Sequence, residues 1–415
     1  MPEPTNPLHL AVALNDAGWH PAAWREQDAQ PDRLFTPAYW VGLTQRAERG
    51  LLDFVTIEDG LDLQSDDHFR RGDGHGDERT DRVRGRLDAV LIAARVAPAT
   101  SHIGLVPTAV TTHTEPFHLS KAIATLDYAS GGRGGVRVQI AGRADTAAHF
   151  GRREIGQLDV ARFTEPDVQR LVTEHFDEAA DYVEVLRRLW DSWEDDAEIR
   201  DVASGRFIDR EKLHYIDFAG QWFAVKGPSI TPRPPQGQPI VAALGHASVP
   251  YGLIASSADV GFVTPRDRGH AAEIVTEIRV AQEKAGRPDV HLFGDLVVFL
   301  DDSAAAARAR WARLDERAGS EYSSDASVFA GTAAQLADLL LDWGEAGLTG
   351  FRLRPAALPH DLNQITDTLV PELQRRGAFR TAYPDSASSN GGWPATLRGL
   401  LGLSRPANRY RRDVA

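Results

Sequence analysis

The sequence predicts an α/β chain folded as one (β/α)8 TIM barrel with insertions, in a single domain over about residues 1–415. Two observations support this. Eight short β-type runs recur along the chain, and helical stretches separate them almost throughout. Repeated β-then-α order implies a parallel sheet, and eight such units imply closure into a barrel. A doubly wound open sheet is the competing arrangement for the same alternation. The pattern breaks once, over about 194–238, which marks an insertion.

The elements follow in order. A first strand at 8–14 leads to a helical stretch over about 37–49, stopped by Gly50. A second strand lies at 53–57, a helix at 87–97 and a third strand at 102–106. A helix over about 116–129 runs through Gly131-Gly132-Arg133-Gly134-Gly135 into a fourth strand at 136–140. A phosphate-binding glycine loop follows a strand and opens a helix, whereas this one precedes a strand. It reads as a helix stop and turn. The run 168–190 is a long amphipathic helix. Within the insertion, Pro232, Pro234 and Pro235 exclude a helix or a central strand, and Trp222 to Val225 suit a short strand outside the main sheet. Strands resume at 240–244, 260–263, 292–300 and 350–353. Helical runs follow at about 248–257, 268–284, 303–317 and 361–375, with one more near 332–346. The tail, about 380–415, is turn-rich and is expected to wrap the surface or a neighbouring subunit. The charged, glycine-rich stretch 66–82 reads as a mobile loop or, alternatively, a lid.

Composition narrows the function. The 415 residues include no cysteine, which excludes disulfides, thiolate metal sites and cysteine nucleophiles. A net charge of −13 argues against binding nucleic acid or anionic lipid through general electrostatics. Residues 1–7 lack the pattern of a signal peptide, and no apolar run approaches the ~20 residues of a membrane span. A soluble, cytoplasmic protein is expected.

In a barrel, the residues just after each strand form the functional rim. They are Asn15, Asp16, Trp19 and His20; Glu58 and Asp59; Thr108, Thr111, Thr112 and His113; Gln139 and Arg143; His246 and Ser248. This polar set suits a planar ligand with a phosphate tail. Each also has a plainer reading: Asp59-Gly60 is a turn signal, and threonines pack well in strands. No HExxH or GxSxG occurs, His113 and His118 lack metal-ligand spacing, and no metal is expected.

Several long blocks carry a more specific signal. They are Leu189-Trp190-Asp191-Ser192-Trp193-Glu194-Asp195-Asp196-Ala197, Pro232 to Pro239 after Gly227-Pro228, Glu115-Pro116-Phe117-His118-Leu119, and Leu369 to Gly377. From about 8 to 408 the chain resembles the bacterial-luciferase-like flavin-dependent monooxygenases. The similarity is to the branch with nitrilotriacetate, long-chain alkane and dibenzothiophene sulfone monooxygenases. The resemblance implies an oligomeric luciferase-like barrel, a homodimer or homotetramer, binding reduced FMN (FMNH2) from a separate flavin reductase. Molecular oxygen is the co-substrate, and a C4a-peroxyflavin oxygenates a small organic molecule. It places Asp59 and Thr108 at the flavin ring and makes Gln139, Phe176, His246 and Ser248 further cofactor-binding candidates. The catalytic residue is unknown, with His113 and Asp59 as candidates.

The chain departs from the family where the flavin phosphate is held. Relatives have Asn where this chain has Arg137, and Thr-Ser where it has Ile140-Ala141. A Tyr and a His of relatives correspond to Phe176 and Val172. The fifth-strand phosphate turn reads Leu244-Gly245-His246-Ala247-Ser248-Val249-Pro250. Arg143, Arg152, Arg153, His175 and His246 are possible replacements; each arginine by itself also reads as a solvated loop residue. The alternatives to a monooxygenase are an F420-dependent hydride-transfer enzyme on the same barrel and a flavin-free binding protein.

Overall fold

The computed structural model describes residues 7–64, 79–154, 162, 165–384 and 396–411. Most of the proposed lid at 66–82, and the turn-rich 386–392, lie outside them. Eight parallel strands form the barrel: β1 (His9–Leu14), β2 (Phe54–Ile57), β3 (Gly104–Val110), β4 (Gly135–Gln139), β5 (Ile240–Gly245), β6 (Val260–Val263), β7 (His291–Leu300) and β8 (Gly350–Pro355). Each pairs with the next in sequence, and β8 returns to β1 with His9 opposite Gly350. Closure excludes the open sheet. Helices α1 (Pro37–Arg49), α2 (Ala89–Val96) and α3 (Pro116–Ala129) cover the first strands. Next come α4 (Ala144–Phe150), α5 (Pro166–Asp191) and α6 (Ser248–Ser257), followed by helices Arg268–Ala285, Ala304–Ala318 and Ala333–Gly344.

Four details correct the sequence reading. First, β3 starts and ends later than the predicted 102–106. Glu48 Oε1 accepts the backbone N–H groups of Ser101 and His102, both at 2.7 Å, and so holds them as a turn. The strand then runs through Pro107, which reads in sequence as a breaker, and carries Thr108 within it. Second, an unforeseen strand, Ser327–Gly331, pairs with Leu296–Leu300 of the ten-residue β7 outside the barrel. Third, the expected short strand of the insertion is there, Ala224–Val225 paired with Phe218–Ala219 outside the barrel, but a second hairpin, Glu198–Asp201 with Arg206–Ile208, is unforeseen.

The insertion is fastened to the end of α5. Ser192 Oγ accepts from Ser229 N at 2.9 Å, and Trp193 Nε1 donates to the Ser229 carbonyl at 2.8 Å. Arg233 pairs with Asp191 at 3.0 Å and Asp195 at 2.8 Å. The Trp-Asp-Ser-Trp block is therefore a structural clasp.

The fourth correction concerns the tail. Its residues 397–401 turn under the barrel, while 405–410 run along the outside as expected, with Arg405 on Asp195 and Arg409 on Glu184. The lower interior is apolar, with Phe54, Val106, Ile240, Phe262 and Phe293 packed together, and Leu397 and Leu401 close it from below. Contact is tight enough that a Cβ on Gly104 would sit 2.5 Å from Leu397 Cδ1. Arg398 donates to Asp259 and to the Gln238 carbonyl, each at 3.2 Å, and Leu397 N bonds the Gly132 carbonyl at 2.9 Å. Leu397→Ala should cost about 2–5 kcal/mol, the usual result of opening a cavity in a core. Urea unfolding measures it, and a loss below ~1 kcal/mol would show that the tail is not part of the core.

Candidate active site

Alternate side chains on each strand point inward, and above the apolar layer they are charged. Asp295 of β7 lies opposite Arg352 of β8 in the ladder. Arg352 Nε donates to Asp295 Oδ1 at 2.8 Å while its Nη2 bonds Oδ2. Arg354 Nε and Nη2 reach the same Oδ2 at 3.0 and 2.5 Å, and Arg354 Nη1 donates to Asp325 at 2.6 Å. Across the barrel, Arg352 Nη1 reaches Thr56 Oγ1 and Glu58 Oε1, both at 3.3 Å. Glu58 Oε2 accepts from Arg137 Nη2 at 2.5 Å. Arg137 also donates to Thr108 Oγ1 at 2.9 Å and to Gln139 Oε1 at 2.7 Å. Three guanidiniums thus face three carboxylates. The Arg352 guanidinium lies 4.0 Å from the centre of the Phe262 ring, where the charged and apolar layers meet.

The structure does not bring all the candidate residues together. Thr108 and Gln139 belong to the mouth, where both are acceptors for Arg137. Thr108 is fully buried, and its hydroxyl hydrogen remains available to donate. Asp59 stands on the rim with its oxygens on backbone donors: Oδ1 accepts from Gly60 N at 2.7 Å and Oδ2 from Ala89 N at 2.8 Å. It helps cap α2, and burial raises its pKa against those two bonds.

Phe176 and Ser248 are neighbours at the far end of the rim. Phe176, Val168 and Val172 of α5 pack with Val249 at the head of α6. Ser248 opens that helix exposed to solvent, and Pro250 supplies no N–H there. This part of the rim is an apolar cluster with Ser248 at its edge. His246 Nδ1 is 3.0 Å from Thr264 Oγ1 and its Nε2 3.4 Å from Asp325. His113 has φ +72° and stacks on Phe150 with ring centres 5.2 Å apart. Burial, with the charge of Arg153 and then His175, pushes its pKa down to about 4. Arg143 pairs with Asp62 at 3.2 Å, Arg152 with the exposed Glu115, and Arg153 with Glu178 at 2.7 Å.

Arg352, Arg354, Asp295 and Asp325 were not among the candidates. Their sequence signal is period-two: Arg352 and Arg354 are the like-facing pair in Gly-Phe-Arg-Leu-Arg-Pro, and Asp295 interrupts an apolar strand. Burial by itself would raise the Asp295 pKa, but Arg352 and Arg354 outweigh it and hold the carboxyl below its ordinary value. With a depressed folded pKa, the carboxylate contributes stability above its unfolded value near 3.9 and loses it as pH falls through the folded value. Asp295→Asn should cost about 3–5 kcal/mol at pH 7, because two buried guanidiniums lose a counter-charge. Unfolding at pH 7 and pH 3 should show the gap to the parent protein narrowing on acidification; a constant gap would refute the pairing as its source.

The comparisons with known proteins agree with this architecture. The chain is 28% identical to N-acetyl-S-(2-succino)cysteine monooxygenase of Bacillus subtilis, covering 97% of this chain and 98% of that protein. It is also 28% identical to nitrilotriacetate monooxygenase component A of Aminobacter aminovorans, covering 97% of each. Among solved structures, a riboflavin lyase crystallised with modified FMN and riboflavin superimposes with a TM-score of 0.81 at 24% identity, over 97% of this chain and 98% of that one. No helix among the described residues is long and apolar enough to cross a membrane. The description "Luciferase-like monooxygenase" matches residues 17–349, and the chain belongs to that family.

Proposed function

We propose that this chain is the oxygenase of a two-component system, taking FMNH2 from a separate flavin reductase and using molecular oxygen to oxygenate a small organic substrate. The observation that carries the reading is similarity to monooxygenases along nearly the whole chain, insertion included. The acidic composition fits a cytoplasmic protein, and the resemblance to the family supports a homo-oligomer.

The mouth suits a flavin ring system. Thr108, Gln139, Arg137 and Asp59 are the residues that would hold it, with Ser248 toward its far end near Phe176 and His246 by Thr264 and Asp325. Bound reduced FMN supplies the oxygen activation. The protein binds, orients and shields. Thr108 offers a preset hydroxyl donor, because Arg137 Nε occupies its acceptor side. Arg137 has its pKa lowered by burial to about 10, against the pull of Glu58, and stays cationic at neutral pH. A cation there favours a reduced, anionic ligand. Phe262 and Leu244 line the interior with apolar surface that keeps water from below. His113 and Asp59 remain the proposed proton-handling groups.

Turnover with FMNH2 under 18O2 tests the reading. One labelled oxygen should appear in the product, and hydrogen peroxide should be released when substrate is withheld. Tight binding of reduced F420 with none of FMNH2 would overturn it. Thr108→Val should weaken FMNH2 binding by about 1–3 kcal/mol, by removing a buried hydrogen-bonding group. Asp59→Ala should also lower stability by about 1 kcal/mol through the lost helix cap. Melting temperature and flavin affinity measured on both variants check this: unchanged affinity in both would remove them from the site.

A further inference from the structure

His246 follows β5 directly and continues its inward-facing row. Ala242 and Leu244 belong to the interior cluster, and Ala242 lies opposite Arg137 of β4 in the ladder. Two residues beyond Leu244, period two brings the His246 ring over the barrel mouth. Thr264 follows Val260 and Phe262 of β6 in the same way. The two meet, with His246 Nδ1 3.0 Å from Thr264 Oγ1. The other ring nitrogen, Nε2, faces Asp325 Oδ2 at 3.4 Å. That contact is an ion-pair approach outside hydrogen-bond geometry, so Nε2 keeps its bonding capacity.

Asp325 is firmly held. Arg354, 1% exposed, donates to its two oxygens at 2.6 and 3.0 Å. The strand that follows, Ser327–Gly331, is tied by Ser327 Oγ to the Pro265 carbonyl at 2.8 Å, beside Thr264. Three segments of chain thus converge on one imidazole. Exposure sets the pair apart. The His246 and Asp325 side chains are 45% and 41% exposed, whereas in every other histidine–carboxylate pair among the described residues neither group exceeds 30%.

We infer that His246, with Asp325 behind it, passes protons between the barrel mouth and solvent. The protons it serves come from the oxygenase reading above, on which the inference rests; the dyad itself is a matter of geometry. Reduction of dioxygen moves protons as well as electrons. FMNH2 supplies two of each, and one oxygen atom leaves as water when the other enters a substrate. With substrate withheld, FMNH2 and dioxygen give FMN and hydrogen peroxide. There Nε2 takes one proton from the flavin and returns it to the departing oxygen, so the imidazole ends neutral. Neutral is also its resting form. Burial lowers the His246 pKa first of all; Asp325 and Asp295 pull it up, and Arg354 and Arg352 push it down. In that form Nδ1–H donates to Thr264 Oγ1 and the Nε2 lone pair accepts. Asp325 then steadies the imidazolium for the moment it exists. His113 differs, because its Nε2 is buried.

The test uses the full chain. Histidine C2–H NMR without flavin follows the His246 signal, assigned by its loss in His246→Gln. Asp325→Asn should lower the His246 titration by about half a unit or more. Thr264→Val is the second variant: it leaves the Arg354 pair intact and should also lower the titration, since the imidazolium loses an acceptor. A titration unmoved in both would overturn the dyad. The kinetic arm is a single turnover of FMNH2 with dioxygen, protein in excess and no substrate. His246→Ala should slow hydrogen peroxide release at least about tenfold and flatten its pH dependence where His246 titrates. Free imidazole should restore part of the rate, as a missing proton carrier allows and a missing flavin contact does not. Weakened FMNH2 affinity with an unchanged pH profile and no rescue would make His246 a flavin contact and overturn the shuttle. FMNH2 binding that fails in the parent protein would end the oxygenase reading and the shuttle with it. Failure confined to the variant's pH profile and rescue would end the shuttle alone.

Discussion

One buried carboxylate, Asp295, with two guanidiniums on the adjoining strand, organises the upper barrel. Arg352 and Arg354 sit on β8, the strand that closes the sheet against β1. From β8, Arg352 reaches across to Glu58 of β2, and Glu58 in turn holds Arg137 of β4. Strand closure and interior charge are thereby coupled. Such an array is not the cheapest way to fill a barrel, since apolar residues of equal volume avoid the desolvation cost. Its retention is best understood through the surface it presents: a rigid polar floor whose side chains hold one another in place.

That floor divides the barrel chemically. Below Phe262 the interior is aromatic and aliphatic, closed by the tail. Above it, donors and acceptors are preset by mutual bonds, so a ligand meets groups that need little reorganisation. The division also separates stability from recognition. The clasp of Trp193, Ser192 and Ser229 secures the insertion at the end of α5, away from the preset groups of the mouth.

The eight strands were legible because alternation and helix stops are local signals. β3 was misplaced because Pro107 suppresses a strand reading and because Glu48 pins the preceding turn from about fifty residues away, a contact that no local window contains. Strand Ser327–Gly331 was missed for the opposite reason: its register comes from the upper half of β7 and not from its own pattern. At the mouth, the change to Arg137 was visible against the family, but its links to Glu58, Thr108 and Gln139 were not. Arg352 and Arg354 carried the right spacing, yet period two does not say which face turns inward. The tail helix, Leu397–Leu400, is too short for any periodicity.

The tail plug also has a kinetic side. Leu397 meets Phe54 and Gly104 across roughly three hundred residues of intervening chain, and such contacts form late because loop closure must be met before they contribute. Before the tail docks, the barrel ring has no floor. In that interval Phe54, Phe262 and Phe293 form an uncovered apolar well, the kind of surface that drives association between partly folded chains. The segment that completes the native core thus also ends the period in which the chain is prone to aggregate.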